Sequence, residues 1–115
     1  MPGQSHRCTR LVAAAGAAAG LLLIARPQRV AAALAPAFPE ERRWVARVLG
    51  ARMVVQHATV LARPEPAVLA AGAALDLLHA ASMLPFLASA RYGRAARISA
   101  AVALGSAVLA GRAAR

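Results

Sequence analysis

The sequence predicts an all-α fold, a bundle of four transmembrane helices with a short interfacial segment between helices 1 and 2. Three observations lead there. Four apolar stretches, each bounded by arginine or proline, divide the 115 residues. The chain is 60% hydrophobic yet only 3% aromatic, and 34 of its residues are alanine. No period-2 alternation of apolar and polar residues appears, so strands are not expected. Alanine buries little area, so an alanine-rich core is weak in water, where burial of large side chains provides most of the stability. In a bilayer the balance differs, because small residues let helices approach closely. Alanine is also the best helix former.

The four stretches form a single membrane domain over 1–115, with spans at about 11–26, 47–63, 66–90 and 97–112. The first, Leu11 to Ala25, lies between Arg10 and Arg26 and ends at Arg26-Pro27. The second, Val48 to Ala62, carries Arg52, Gln56 and His57 and ends at Arg63-Pro64. The third, Ala67 to Ala90, follows Pro66, which suits a first helical turn. It carries Asp76 and His79, and Pro85 predicts a kink near its end. The fourth, Ile98 to Gly111, lies between Arg97 and Arg112. Only the third reaches the roughly 20 residues that cross a hydrocarbon core of about 30 Å. The others are near 15 residues, or about 22 Å at ~1.5 Å per residue. Arginine snorkelling and bilayer thinning are expected to close that gap. Between the first two spans, Val30 to Phe38 is apolar and Pro39 to Trp44 is polar, which reads as a segment lying on the membrane surface.

An alternative applies to the N-terminus. Arg7 and Arg10 before an apolar run also describe a signal peptide, with Ala33-Leu34-Ala35 as a cleavage site. The Arg26-Pro27-Gln28-Arg29 insert between run and site argues against it.

The net charge is +10, from 14 arginines against Glu40, Glu41, Glu65 and Asp76. Such basicity raises nucleic acid as a partner. The arginines flank apolar stretches and line no helical face, so no nucleic-acid partner is expected. They fit membrane flanking instead. With four spans, the connections 26–47 and 91–97 share one side and carry eight arginines, whereas Arg7, Arg10, Arg63, Arg112 and Arg115 occupy the other. The positive-inside rule then places both termini outside the cytoplasm. Trp44 and Tyr92 fall on the eight-arginine side, as interfacial anchors would. The lone Cys8 forms no intramolecular disulfide and no metal site.

Four polar residues inside the spans form the candidate site: Arg52, Gln56, Asp76 and His79. Leu49, Arg52, Gln56 and Thr59 share one face of the second helix, and Gly72, Asp76, His79 and Met83 share one face of the third. Glu65 marks the turn between them. Arg52 precedes it by 13 residues and Asp76 follows it by 11, so an antiparallel hairpin sets them at nearly equal depth. Intramembrane charges are costly and normally pair in the bundle interior. An Arg52–Asp76 pair is therefore expected, with Gln56 and His79 satisfying the remaining donors and acceptors. His57 points about 100° away from Gln56 and need not join. Such a pair can simply fix the register of two helices. It can instead bind a lipid headgroup or small ion, or carry protons through Asp76 and His79. Enzyme chemistry finds little support. No nucleophile–base set or phosphate loop appears, and Asp76 with His79 are two ligands where a metal site needs more. No catalytic residue, metal or cofactor is expected.

The stretch Leu49-Gly50-Ala51-Arg52-Met53-Val54-Val55-Gln56, followed by Asp76-Leu77-Leu78-His79-Ala80-Ala81-Ser82-Met83, resembles uncharacterised small four-helix integral membrane proteins of GC-rich bacteria. The resemblance covers most of residues 10–112 and implies a fold without an activity. Size and span count are also similar to small multidrug-resistance transporters, but the first helix here lacks their membrane-embedded glutamate. The function expected is that of a small integral membrane protein of the bacterial inner membrane, a multi-pass, non-enzymatic accessory or assembly component. The alternative is a small transporter or proton- or ion-conducting protein using Asp76 and His79. Expected partners are the lipid bilayer and either a second copy or a larger membrane complex.

Overall fold

A computed structural model describes residues 2–114, with side chains described from Arg7 onward. The fold is all-α. Five helices run in order among the described residues: α1 (Pro2–Ala25), α2 (Pro27–Leu34), α3 (Arg43–Ala62), α4 (Pro66–Ser82) and α5 (Gly93–Ala113). Short 3-10 turns at Glu40–Arg42 and Leu84–Phe86 precede α3 and follow α4.

Proline sets most of the breaks. The residue before a proline is pushed out of the helical region. Arg26, before Pro27, adopts φ −136°, ψ 52° and separates α1 from α2. Arg63, before Pro64, adopts φ −142°, ψ 82° and ends α3. Glu65 is extended before Pro66, which opens α4. Two expectations change here. Pro85 does not kink a span reaching residue 90. The α-helix stops at Ser82 and hands over to a 3-10 turn, because proline has no N–H to donate and its ring crowds the carbonyl one turn back. The apolar runs also underestimate helix length. α1, α3 and α5 have 24, 20 and 21 residues, since arginine is a good helix former and does not end a helix. At ~1.5 Å per residue, 20 residues cover the roughly 30 Å core without a deficit.

Among the described residues, three helical segments are long and apolar enough to cross a membrane: Arg7–Ala25, Pro66–Phe86 and Gly93–Ala113. α3 is long enough, but Arg43, Arg47, Arg52, Gln56 and His57 make it more polar than these three. The segment between α1 and α3 holds one short helix, α2, with mostly exposed residues.

The closest packing joins α1 to α3 and α4 to α5. The expected hairpin of the second and third spans, here α3 and α4, is thus not the tightest pair. α1 and α3 run antiparallel, with Gly16 against His57 and Gly20 against Gly50. An added Cβ at Gly20 would meet the Gly50 carbonyl oxygen at 2.6 Å, and one at Gly50 would meet the Gly20 oxygen at 2.6 Å. The two backbones are therefore in contact, and only glycine fits. On α5, Ala96, Ala103 and Ala107 are buried along one face.

The interior is small and the exterior large. Buried apolar residues are mainly alanines, with Val60 and Leu69, whereas Leu11 (70% exposed), Val55 (67%) and Leu78 (68%) point outward with many other leucines and valines. The longest dimension is 44 Å, close to the roughly 40–45 Å of a bilayer with its headgroups.

Candidate functional site

The short turn 63–65 holds α3 and α4 antiparallel, and two residues on α3 reach across to α4. Gln56 donates from Nε2 to the Asp76 carboxylate at 3.2 Å and to the Gly72 carbonyl at 3.4 Å. Arg52 donates to the Gln56 side-chain oxygen at 3.0 Å, and its other terminal nitrogen lies 3.7 Å from Asp76 Oδ1. The link between the charges is therefore a loose ion pair braced by an amide that bonds to both. Gly72 lies beside the Gln56 amide, and a Cβ added there would meet its Nε2 at 3.4 Å, an ordinary contact.

Asp76 is only 3% exposed, and taking a carboxylate out of water costs several kcal/mol unless it is paired. Gln56 and Arg52 provide that pairing. Arg52 is incompletely satisfied, because its Nε is buried without a hydrogen-bond partner among the described residues.

Of the four residues singled out in the sequence, three gather in this way. His79 does not join them. It lies about 60° around the helix from Asp76 and one turn nearer the aromatic end, and it hydrogen-bonds to the Ser99 hydroxyl on α5. It secures α4 to α5, whereas Arg52 and Gln56 secure α3 to α4. Ser82 donates to the His79 backbone carbonyl at 2.6 Å, not to its ring. Thr59 turns back to the Val55 carbonyl at 2.6 Å and is outside the cluster. The sequence does not point to Ser99. A lone serine in a fourth helix gives no sequence signal unless the partner position across the hairpin is already known.

The two ends of the bundle differ. At the eight-arginine end, Tyr92 packs edge-on against Phe38 and Phe86, with ring centroids 5.6 and 5.9 Å away. Arg91 pairs with Glu41 at 2.8 Å, and Arg97 donates to the Leu87 carbonyl at 3.0 Å. The Phe38–Tyr92 and Glu41–Arg91 contacts bind the α2–α3 connection to the α4–α5 turn and close this end. The Glu41 carboxyl is held below its usual 4.5 by a hydrogen bond from its own backbone N–H and by Arg91.

At the other end, among the described residues, Ala13, Val60 and Leu69 pack together with Val68, Ala113 and Ala114 against them. A cleft of about 280 Å³ enters there between the two helix pairs, with Thr9, Ser106 and Arg112 among its lining and with Val60 and Leu69 on its walls. It reaches Gln56 and His57. Gln56 is fully engaged. His57, 9% exposed, has no hydrogen-bond partner among the described residues. Arg115, counted with the arginines of this end, lies outside the described residues.

No protein-family model, curated protein or solved structure matches the chain. A functional reading therefore rests on the residues and their geometry.

Proposed function

We propose that this chain is a four-span integral membrane protein of the bacterial inner membrane and acts as a non-enzymatic accessory or assembly component. In this reading Arg52, Gln56 and Asp76 form a structural lock between two helix pairs. One observation carries it: the packing is inside-out for water. Alanine and glycine fill the interior around a paired charge, while large aliphatic side chains face outward. Lipid or a partner helix suits such a surface, and water does not.

The fourth span, α3, is the polar one. Its support comes from α1, beside which it runs antiparallel through Gly16–His57 and Gly20–Gly50. If α1 crosses the bilayer, α3 crosses with it. Arg52 and Gln56 on α3 turn inward toward Asp76 of α4 and His57 toward α1, as intramembrane polar groups do. The eight-arginine end then faces the cytoplasm and both termini lie outside.

Topology tests this directly. Cys8 is the sole cysteine, and it is exposed. A membrane-impermeant maleimide applied to intact spheroplasts should label Cys8 in the wild-type chain, and a cysteine appended after Arg115 in a Cys8→Ser background. Four spans put both thiols on the outside. Labelling of one but not the other means an odd number of crossings, with α3 lying outside the bilayer. For the assembly role, mild-detergent extraction followed by native electrophoresis should show the protein migrating in a larger complex. Migration as an isolated monomer or homodimer rejects that role.

The cleft reaching Gln56 favours a second reading, a small proton or ion path through Asp76 and His79. Proteoliposomes with a pH gradient discriminate the two. Flux abolished by Asp76→Asn supports the path, and no flux above empty liposomes supports the lock.

A further inference from the structure

We infer that the cleft between the helix pairs binds the head of a neutral, lipid-soluble ring compound with hydrogen-bond-accepting carbonyls at opposite ends, the chemistry of a membrane quinone. This rests on the membrane reading above, but not on the assembly role. The cleft's free polar groups are biased toward donation. Arg112 can only donate, the Thr9 and Ser106 hydroxyls can donate, and no carboxylate is among the lining residues. At the floor stands His57, about nine-tenths buried and without a partner among the described residues. Its ring lies against Gly16 of α1, and its nitrogens keep some exposure, since only Arg43 Nε and Arg52 Nε are fully buried without a partner among the described residues. The neighbouring amide cannot satisfy the ring, because Gln56 is occupied by Arg52, Asp76 and Gly72. A ligand carbonyl accepting from the imidazole N–H completes the site.

The walls and size restrict the ligand further. Val60 and Leu69 suit an apolar ring body. A volume of about 280 Å³ is at the small end of ligand pockets, which run from about 300 Å³, so it holds a head and not a whole lipid. The donors lie at two levels, His57 at the floor and Arg112 at the mouth, so acceptors are wanted at both ends of the ligand. A formal anion fits the mouth but not the floor, where a bare charge in an apolar surround is costly. Arg112 lies in the last turn of α5, where a lipid-soluble molecule at the bilayer surface can enter.

The test uses the full chain in nanodiscs, with incorporation verified first, so that failure to insert is separate from failure to bind. A decyl-substituted benzoquinone, decylbenzene and laurate are titrated by calorimetry. The quinone should bind at least tenfold more tightly than either of the others. His57→Phe, which keeps the bulk and removes the donor, should weaken it about tenfold, the worth of one hydrogen bond near 1.4 kcal/mol. Ala110→Phe, which fills the cleft from α5, should abolish binding, and Leu104→Phe on the outer surface of α5 should not change it. If His57→Phe fails to fold, Ala110→Phe and the ligand series still decide. Equal binding of decylbenzene shows an apolar gap and overturns the inference. Tighter binding of laurate overturns it in favour of an anion. Absence of quinone binding, or binding that persists in Ala110→Phe, also overturns it.

Discussion

Gly20→Ala should destabilise the protein, even though alanine is the better helix former. The new Cβ would lie 2.6 Å from the Gly50 carbonyl oxygen, 2.9 Å from Val54 Cγ2 and 3.0 Å from Met53 Cβ. The first neighbour is backbone and cannot rotate away, so α1 and α3 must separate. A gap of about 0.5–1 Å forfeits a quarter to a half of each dispersion contact along a seam, and this seam includes Gly16 against His57. Overpacking of this kind costs about 1–3 kcal/mol. Alanine's helix propensity returns up to about 1 kcal/mol, leaving a net loss of up to about 2 kcal/mol. Gly105→Ala is the matched control, because a Cβ there meets nothing within 4 Å. It should be neutral or stabilising by up to about 1 kcal/mol. Gly50→Ala should resemble Gly20→Ala, and the double variant should cost less than the sum, because one separation of the helices relieves both clashes. Dodecyl sulfate titration of the detergent-solubilised protein, followed by far-UV circular dichroism, reads all four. If Gly20→Ala is as stable as Gly105→Ala, the backbone contact between α1 and α3 does not exist.

Two further predictions concern the other contacts. Ser99→Ala should cost about 0.5–1.5 kcal/mol and shift the His79 ring resonances, while leaving those of His57 in place; unchanged His79 resonances would refute the contact. The Glu41 carboxyl, held low by its own backbone N–H and by Arg91, should titrate below 4.5 by carbon-detected NMR. A depressed folded-state value means that its contribution is present above the unfolded value and is lost as pH falls through the folded one. Glu41→Gln should therefore remove the acid sensitivity of the contact between the α2–α3 connection and Arg91.

The sequence was most legible where chain geometry is local. Arg52 and Asp76 could be matched because a three-residue turn forces antiparallel neighbours into register, so counting outward from Glu65 gives depth. Helix ends at Ala25 and Ala62 were readable because a proline follows two residues later. Non-local pairing was not readable. The contact of α1 with α3 depends on Gly16, Gly20 and Gly50, and in a chain with 34 alanines small residues give no contrast. Knowing only that His57 pointed away from Gln56, one could not place it against Gly16. Helix length is not readable from hydropathy, because the flanking arginines, which mark hydropathy boundaries, do not mark conformational ones. Pro85 was expected to bend α4, but with Tyr92 and Phe86 packing beyond it the chain turns there into the closed end of the bundle.

A double-mutant cycle on Arg52 and Asp76 tests the lock most directly. Asp76→Ala leaves the Arg52 guanidinium without its counter-charge, and breaking one partner of a buried pair costs about 3–5 kcal/mol. Arg52 is partly exposed, at 30% of its side chain, which puts the expected loss at the lower end of that range. In the Arg52→Ala, Asp76→Ala double variant the second substitution should cost less than it does alone. The coupling energy should be about 1 kcal/mol or more, above the ~0.6 kcal/mol average for hydrogen bonds between membrane helices. The same dodecyl sulfate titration measures it. A coupling of that size supports a lock between the two helix pairs. Additive effects, or two harmless single variants and a harmless double, would contradict it.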